Sequence, residues 1–133
     1  MKNKIYIWIT MLAVVLLLAA CSKTPTVANF YLTNDDQGSN KTTTFAPTDS
    51  FNLFFDVSNV PSGTLFETKW YILNVSGQDP NTPFQTIDQK YDGSSAAFHF
   101  HLTNSGNWPI AQYRVDIYMS GNQVGELQFN VSQ

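Results

Sequence analysis

The chain has two histidines, His99 and His101, and they stand two residues apart in the alternating stretch Ser95–Thr103. On a β-strand, residues i and i+2 project to one face, so these two imidazoles could share a metal ion. A transition-metal site normally needs a third or fourth ligand. Asp88 or Asp92 would supply it only if the neighbouring strand pairs in a favourable register. The plainer reading, two solvent-facing polar residues alternating with Phe98 and Phe100, is preferred. Catalytic groups are scarcer. No serine sits in a Gly-x-Ser-x-Gly elbow, Glu67 and Glu126 are isolated, and no acid pair stands out among eight aspartates. Asp35 and Asp36, with Asn34 and Asn40, carry oxygen ligands but lack the Asp-x-Asp-x-Asp-Gly spacing of a calcium loop, so they read as turn residues. Nothing in the pattern calls for a cofactor, and the chain is read as a non-enzyme. Aromatic residues give the stronger binding hint. Phe54, Tyr71 and Tyr118 fall out of phase with the apolar faces of their strands, and Trp108 sits in a turn. Together they are expected to form an exposed surface for a protein or a sugar.

Cys21 is the one cysteine, and it ends an uncharged run, Ile5 to Ala20, that follows Lys2 and Lys4. Sixteen residues fall short of the roughly 20 that span a bilayer. A positive start and a short apolar core are the pattern of a secretory signal. Leu18-Ala19-Ala20-Cys21 resembles the lipobox of bacterial lipoproteins. The resemblance implies cleavage before Cys21 and acyl chains, palmitate among them, on that residue. It places residues 1–20 in a signal peptide, and Cys21 with Ser22–Thr26 in a lipidated tether. Five extended residues reach roughly 17 Å at about 3.3–3.6 Å each. Ser22 stands where an aspartate would mark inner-membrane retention. The resemblance therefore implies the exported side of a bacterial cell envelope, and the outer membrane where the host has one.

Composition narrows the rest. The chain has seven basic and ten acidic residues, which argues against a nucleic-acid surface. Without residues 1–20 the balance is five against ten, so attachment to a membrane would depend on lipid and not on charge. One cysteine excludes an internal disulfide framework. Of residues 21–133, 42 are Ser, Thr, Asn or Gln, and only six are Leu and five Ala. Helix formers are scarce, and no 3.6-residue apolar stripe is evident. Alternating runs bounded by Gly, Pro, Asn and Asp predict strands instead. They cover Val27–Thr33, Thr42–Phe45, Ser50–Asn59, Thr64–Val75, Phe84–Tyr91, Ser95–Thr103, Gln112–Ser120 and Val124–Val131. Asp92-Gly93 reads as a hairpin turn, and Gly125 as a bulge. Seven or eight strands within residues 27–133 predict an all-β antiparallel sandwich.

The segment Trp108-Pro109-Ile110-Ala111-Gln112-Tyr113, an alternating strand, Gly121, and a last strand ending Phe129-Asn130-Val131 are similar to the terminal hairpin of bacterial immunoglobulin-like lipoprotein domains. The resemblance implies an immunoglobulin-like fold, with Tyr113 near a tyrosine corner and Trp70 as the core tryptophan. Ala111 stands where that pattern usually has glycine, so a positive φ there would strain it. The leading expectation is a non-catalytic, lipid-anchored module that binds an envelope protein or a glycan. The alternatives are a small metal-handling envelope protein using His99 and His101, and an envelope hydrolase or hydrolase inhibitor.

Overall fold

A computed structural model describes residues 23–133, so Cys21 and the signal segment lie outside the described residues. Eight strands follow one another: β1 (Thr26–Thr33), β2 (Thr44–Phe45), β3 (Phe51–Ser58), β4 (Leu65–Ile72), β5 (Gln85–Lys90), β6 (Ala97–Leu102), β7 (Ala111–Met119) and β8 (Asn122–Val131). They form a three-stranded sheet of order β1-β3-β6 and a five-stranded sheet of order β2-β8-β7-β4-β5. The pairs are antiparallel except β2 with β8, which is parallel and only two residues long.

The period of two dictates the core. Phe51, Leu53, Phe55 and Val57 of β3 are buried and face Phe66, Thr68, Trp70 and Ile72 of β4, with Val115 and Ile117 of β7 among them. Aromatic rings fill the space between the sheets. Phe51 contacts Trp70, Trp108, Tyr113 and Phe129 with centroids 4.5 to 6.2 Å apart. Such offset and edge contacts add to the burial of large apolar area. Trp70 is the fully buried core tryptophan, and its Nε1–H donates to Thr68 Oγ1 at 3.0 Å. Tyr113 is a tyrosine corner: its ring is buried and its hydroxyl donates to Pro109 O at 2.8 Å.

Two local expectations are corrected, and the condition at Ala111 is resolved. Asp92-Gly93 closes no hairpin, because β5 and β6 belong to different sheets and the chain crosses between them there. Tyr91 secures the crossing by donating its backbone N–H to Thr64 O and its hydroxyl to Ser95 O. The bulge in β8 falls on Val124, since Ile117 pairs with Gly125 and Tyr118 with Gln123. Gly125 itself makes room for Phe30, whose ring would lie 2.8 Å from an added Cβ. Ala111 lies within β7 and is not among the positive-φ residues, so the chain needs no left-handed residue there and alanine is accommodated.

Strand directions give the sandwich two unlike ends. Thr26 pairs with Ser58, and the turns at this end span 59–64, 91–96 and 120–121. The opposite end gathers the three longest connections, 34–43, 73–84 and 103–110, beside the short link 46–50.

Candidate functional site

On the outer face of the three-stranded sheet, cross-strand pairing sets Phe54 beside His99 and Asn52 beside His101, with Tyr31 and Thr33 of β1 completing the rows. The rings stack in a ladder. Tyr31 lies 5.5 Å from Phe54, Phe54 lies 4.2 Å from His99 at an interplanar angle of 4°, and Lys41 Nζ sits 3.9 Å over Tyr31. Asn52 is 1% exposed although it belongs to the outer row. Its Oδ1 accepts from His99 Nε2–H at 2.9 Å and from His101 Nδ1–H at 2.7 Å. Its Nδ2 turns toward Thr33 O at 3.4 Å, which assigns the amide orientation and makes both rings donors.

The two imidazoles do face one side, as their spacing requires, but they converge on an amide oxygen. Asp88, the ligand imagined on a neighbouring strand, is on β5 in the other sheet. Asp92 accepts from the backbone and hydroxyl of Ser94. Among the described residues no three His, Cys, Asp or Glu groups are placed to hold a metal ion. Burial lowers the His99 pKa below the usual imidazole range, the neighbouring His101 lowers it further, and Asp36 opposes both. The loop 34–40 lies against this face with Gly38, at φ 73°, next to Tyr31 and Phe54. Asp35 holds the loop in shape, its carboxylate accepting backbone N–H groups of Ser39, Asn40 and Gln37. Those bonds, Ser39 first, lower its pKa. Asp35 thus acts as a turn residue.

The outer face of the five-stranded sheet carries Tyr71 on β4, opposite Arg114, and Tyr118 on β7, opposite Glu67. Each ring lies under a cation: Arg114 Cζ is 4.2 Å from the Tyr71 centroid, and Lys69 Nζ is 4.7 Å from that of Tyr118. Lys69 also reaches Glu67 at 3.2 Å. Arg114 Nε approaches Asp116 Oδ1 to 3.0 Å, yet neither atom makes a hydrogen bond, so the contact is Coulombic. Burial raises the Asp116 pKa, and the Arg114 charge offsets only part of that rise. Arg114, Asp116 and Lys69 were absent from the expected site. The alternation of β7 does set Arg114 and Asp116 on its polar side, but their grip on the tyrosines depends on the pairing of β4 with β7.

The four aromatics expected to be exposed do not form one surface. Phe54 is half-buried on one sheet and Tyr118 half-buried on the other. Tyr71 and Trp108 are buried, at 6% and 7% exposure, which corrects the expectation that they face solvent. Arg114 covers Tyr71. Trp108 is folded inward because its backbone N–H donates to Pro47 O and its Nε1–H to Asp49 O, both at 2.8 Å, with its ring stacked 4.5 Å from Phe51. The exposed apolar residue of that turn is Ile110, at 57%.

Comparison with known proteins rests on structure. No family model and no curated protein matches the chain. An immunoglobulin-like protein from Pseudomonas aeruginosa superposes with a TM-score of 0.57 at 10% identity, over 85% of this chain and 100% of that one. The fold is immunoglobulin-like. A Pseudomonas fluorescens alkylpurine DNA glycosylase, solved with DNA containing an abasic-site analogue, matches at a TM-score of 0.51 and 10% identity. That match covers 82% of this chain and 30% of the glycosylase. Likeness at this identity is a statement about fold, and function must be argued from sites.

Proposed function

We propose that this chain is a lipid-anchored, non-catalytic binding module of a bacterial cell envelope, held through Cys21 and presenting its domain to an envelope protein or glycan. The observation that carries the reading is the polarity of the sandwich. Thr26, only a few residues from Cys21, lies at the end with short turns, and the long connections gather at the other end. An anchor at Cys21 would therefore set the short turns toward the membrane and the long loops outward. Binding loops on a rigid β scaffold commonly occupy such a position. The outward end carries Asp35, Asp36, Asp49 and Asp79 against Lys41, with Ile110 exposed among them.

Two measurements test the reading. Labelled palmitate fed to the native host should enter the full chain, and Cys21→Ala should abolish the label and release the protein from membranes. An unlabelled wild-type chain in the membrane fraction would refute the anchor. A photocrosslinking residue at Ile110 should trap a discrete envelope component, whereas one at Leu65, at the opposite end, should not. Equal yields from both positions would refute the outward presentation.

A further inference from the structure

One side of the sandwich is open. β1 is the edge of its sheet, and β8 has an outer neighbour only at Asn130 and Val131, where β2 pairs with it. Segment 41–45 bridges the seam at the loop end: Thr42 N–H donates to Leu32 O, and Asn130 N–H donates to Thr43 O. Past that bridge, among the described residues, no strand pairs with the outer edge of β1 from Thr26 to Tyr31 or of β8 from Asn122 to Gln128. Val27 and Phe30 on β1, with Val124 and Leu127 on β8, are half-buried against the core along these edges. Between them lies a groove of about 450 Å³ lined by Phe30 and Leu127, and Lys41 is the charged side chain on its wall.

Proteins blunt free strand edges with bulges, charges or short length, because exposed N–H and C=O groups recruit other strands. β1 is blunted by its bulge between Ala28 and Tyr31, where Asn29 has φ 56°. β8 is bulged at Val124, but Gly125–Gln128 continue in regular register with β7 and have no outer partner among the described residues. The lane outside this stretch is the one that β2 occupies beside Asn130 and Val131.

We propose that the seam accepts an extended strand from a partner protein, laid along Gly125–Gln128 of β8 in the lane that β2 occupies farther along. The partner's chemistry follows from what the seam offers. Free backbone groups call for an extended peptide, the mode in which main-chain bonds give affinity and alternate side chains give specificity. Phe30 and Leu127 call for apolar residues at every second position. Lys41 calls for a carboxylate at the β2 end, either an Asp or Glu side chain or a chain terminus. A peptide fits both sides of the seam, since Phe30, Leu32 and Leu127 line the groove beside the polar Lys41, Thr42, Thr43 and Gln128.

The test pans a phage-displayed library of random twelve-residue peptides against the full-length chain in detergent micelles. Enriched peptides should alternate apolar residues and carry an acid. Their synthetic forms should lose at least tenfold in affinity for Leu127→Asp, and should lose binding when alternate backbone amides along one edge are N-methylated. Lys41→Glu alters an exposed side chain outside the core, so it decides the matter if Leu127→Asp unfolds. It should shift the selected peptides from acidic to basic. Peptides that bind wild type, Leu127→Asp and Lys41→Glu equally, or that show no alternation, would overturn the seam as the site. The palmitate label and the Ile110 crosslink do not depend on this result, so the anchoring and presentation readings fail or stand separately.

Discussion

The two outer faces of the sandwich reach the same end by different physics. On the three-stranded sheet, a neutral amide at Asn52 is buried by two histidines that donate to it, and the aromatic ladder runs Tyr31, Phe54, His99. On the five-stranded sheet, charges do the covering: Arg114 lies over Tyr71, Lys69 over Tyr118, and Asp116 sits beside Arg114. In both cases outward-pointing aromatics are satisfied by neighbours and are not free platforms. The difference is in what each face would lose. The amide centre depends on directional bonds, whereas the charged centre depends on a misaligned Coulombic pair whose burial opposes ionisation.

That contrast can be broken by substitution. Asn52→Leu should be the most damaging change, since it removes the buried acceptor of half-buried His99 and exposed His101 together with the amide donor to Thr33 O; each such bond contributes about 0.5–1.5 kcal/mol. Thermal or urea unfolding would measure it, and a loss below about 0.5 kcal/mol would show that water satisfies the rings equally well. Arg114→Met comes next, at about 1–2 kcal/mol, because it strips the buried Asp116 of its countercharge. That cost should shrink as the pH is lowered and Asp116 takes up a proton.

pH separates the faces by sign. The His99 pKa is lower in the fold than its unperturbed value of 6.5. Its contribution to stability is therefore complete above about pH 6.5 and is lost as pH falls from there through the folded pKa. The Asp116 pKa is raised above 3.8, so its contribution runs the other way: it favours the fold at low pH and is lost as pH rises through the folded value. Unfolding curves for His99→Gln and Asp116→Asn across pH 3 to 8 should each flatten one of these opposing slopes. Parallel curves for wild type and both variants would dissolve the distinction. The smallest effect belongs to Asp116→Asn at neutral pH. Replacing a poorly paired buried charge with a neutral isostere should change stability by no more than about 0.5 kcal/mol, and either sign is compatible with a misaligned pair.

Most of the strand plan was legible because a half-buried strand must alternate, and Phe51, Leu53, Phe55 and Val57 do so without interruption. Tyr113 and Trp70 were legible too, through the Trp108–Val131 segment and its likeness to immunoglobulin-like domains. The binding residues were not. Tyr71 is out of phase with the core, yet it is buried because Arg114, 43 residues later, is its cross-strand neighbour. Trp108 belongs to a turn, yet Pro47 and Asp49 draw it inward from a distant loop. Asp92-Gly93 has the composition of a hairpin turn but carries the chain between sheets, since local turn chemistry does not say which strands will pair.

Period, composition and turn residues thus determined the class of the described domain, strands in two layers around an aromatic core, together with an expected leader ending at Ala20. Those properties are local, set by the backbone's two-residue repeat and by which side chains can leave water. Strand order, the burial of Asn52 between two histidines, the cations over Tyr71 and Tyr118, and the uncovered edge of β8 were decided only in three dimensions. Each depends on residues far apart in the chain meeting across a sheet, and no single segment carries the information about its neighbour.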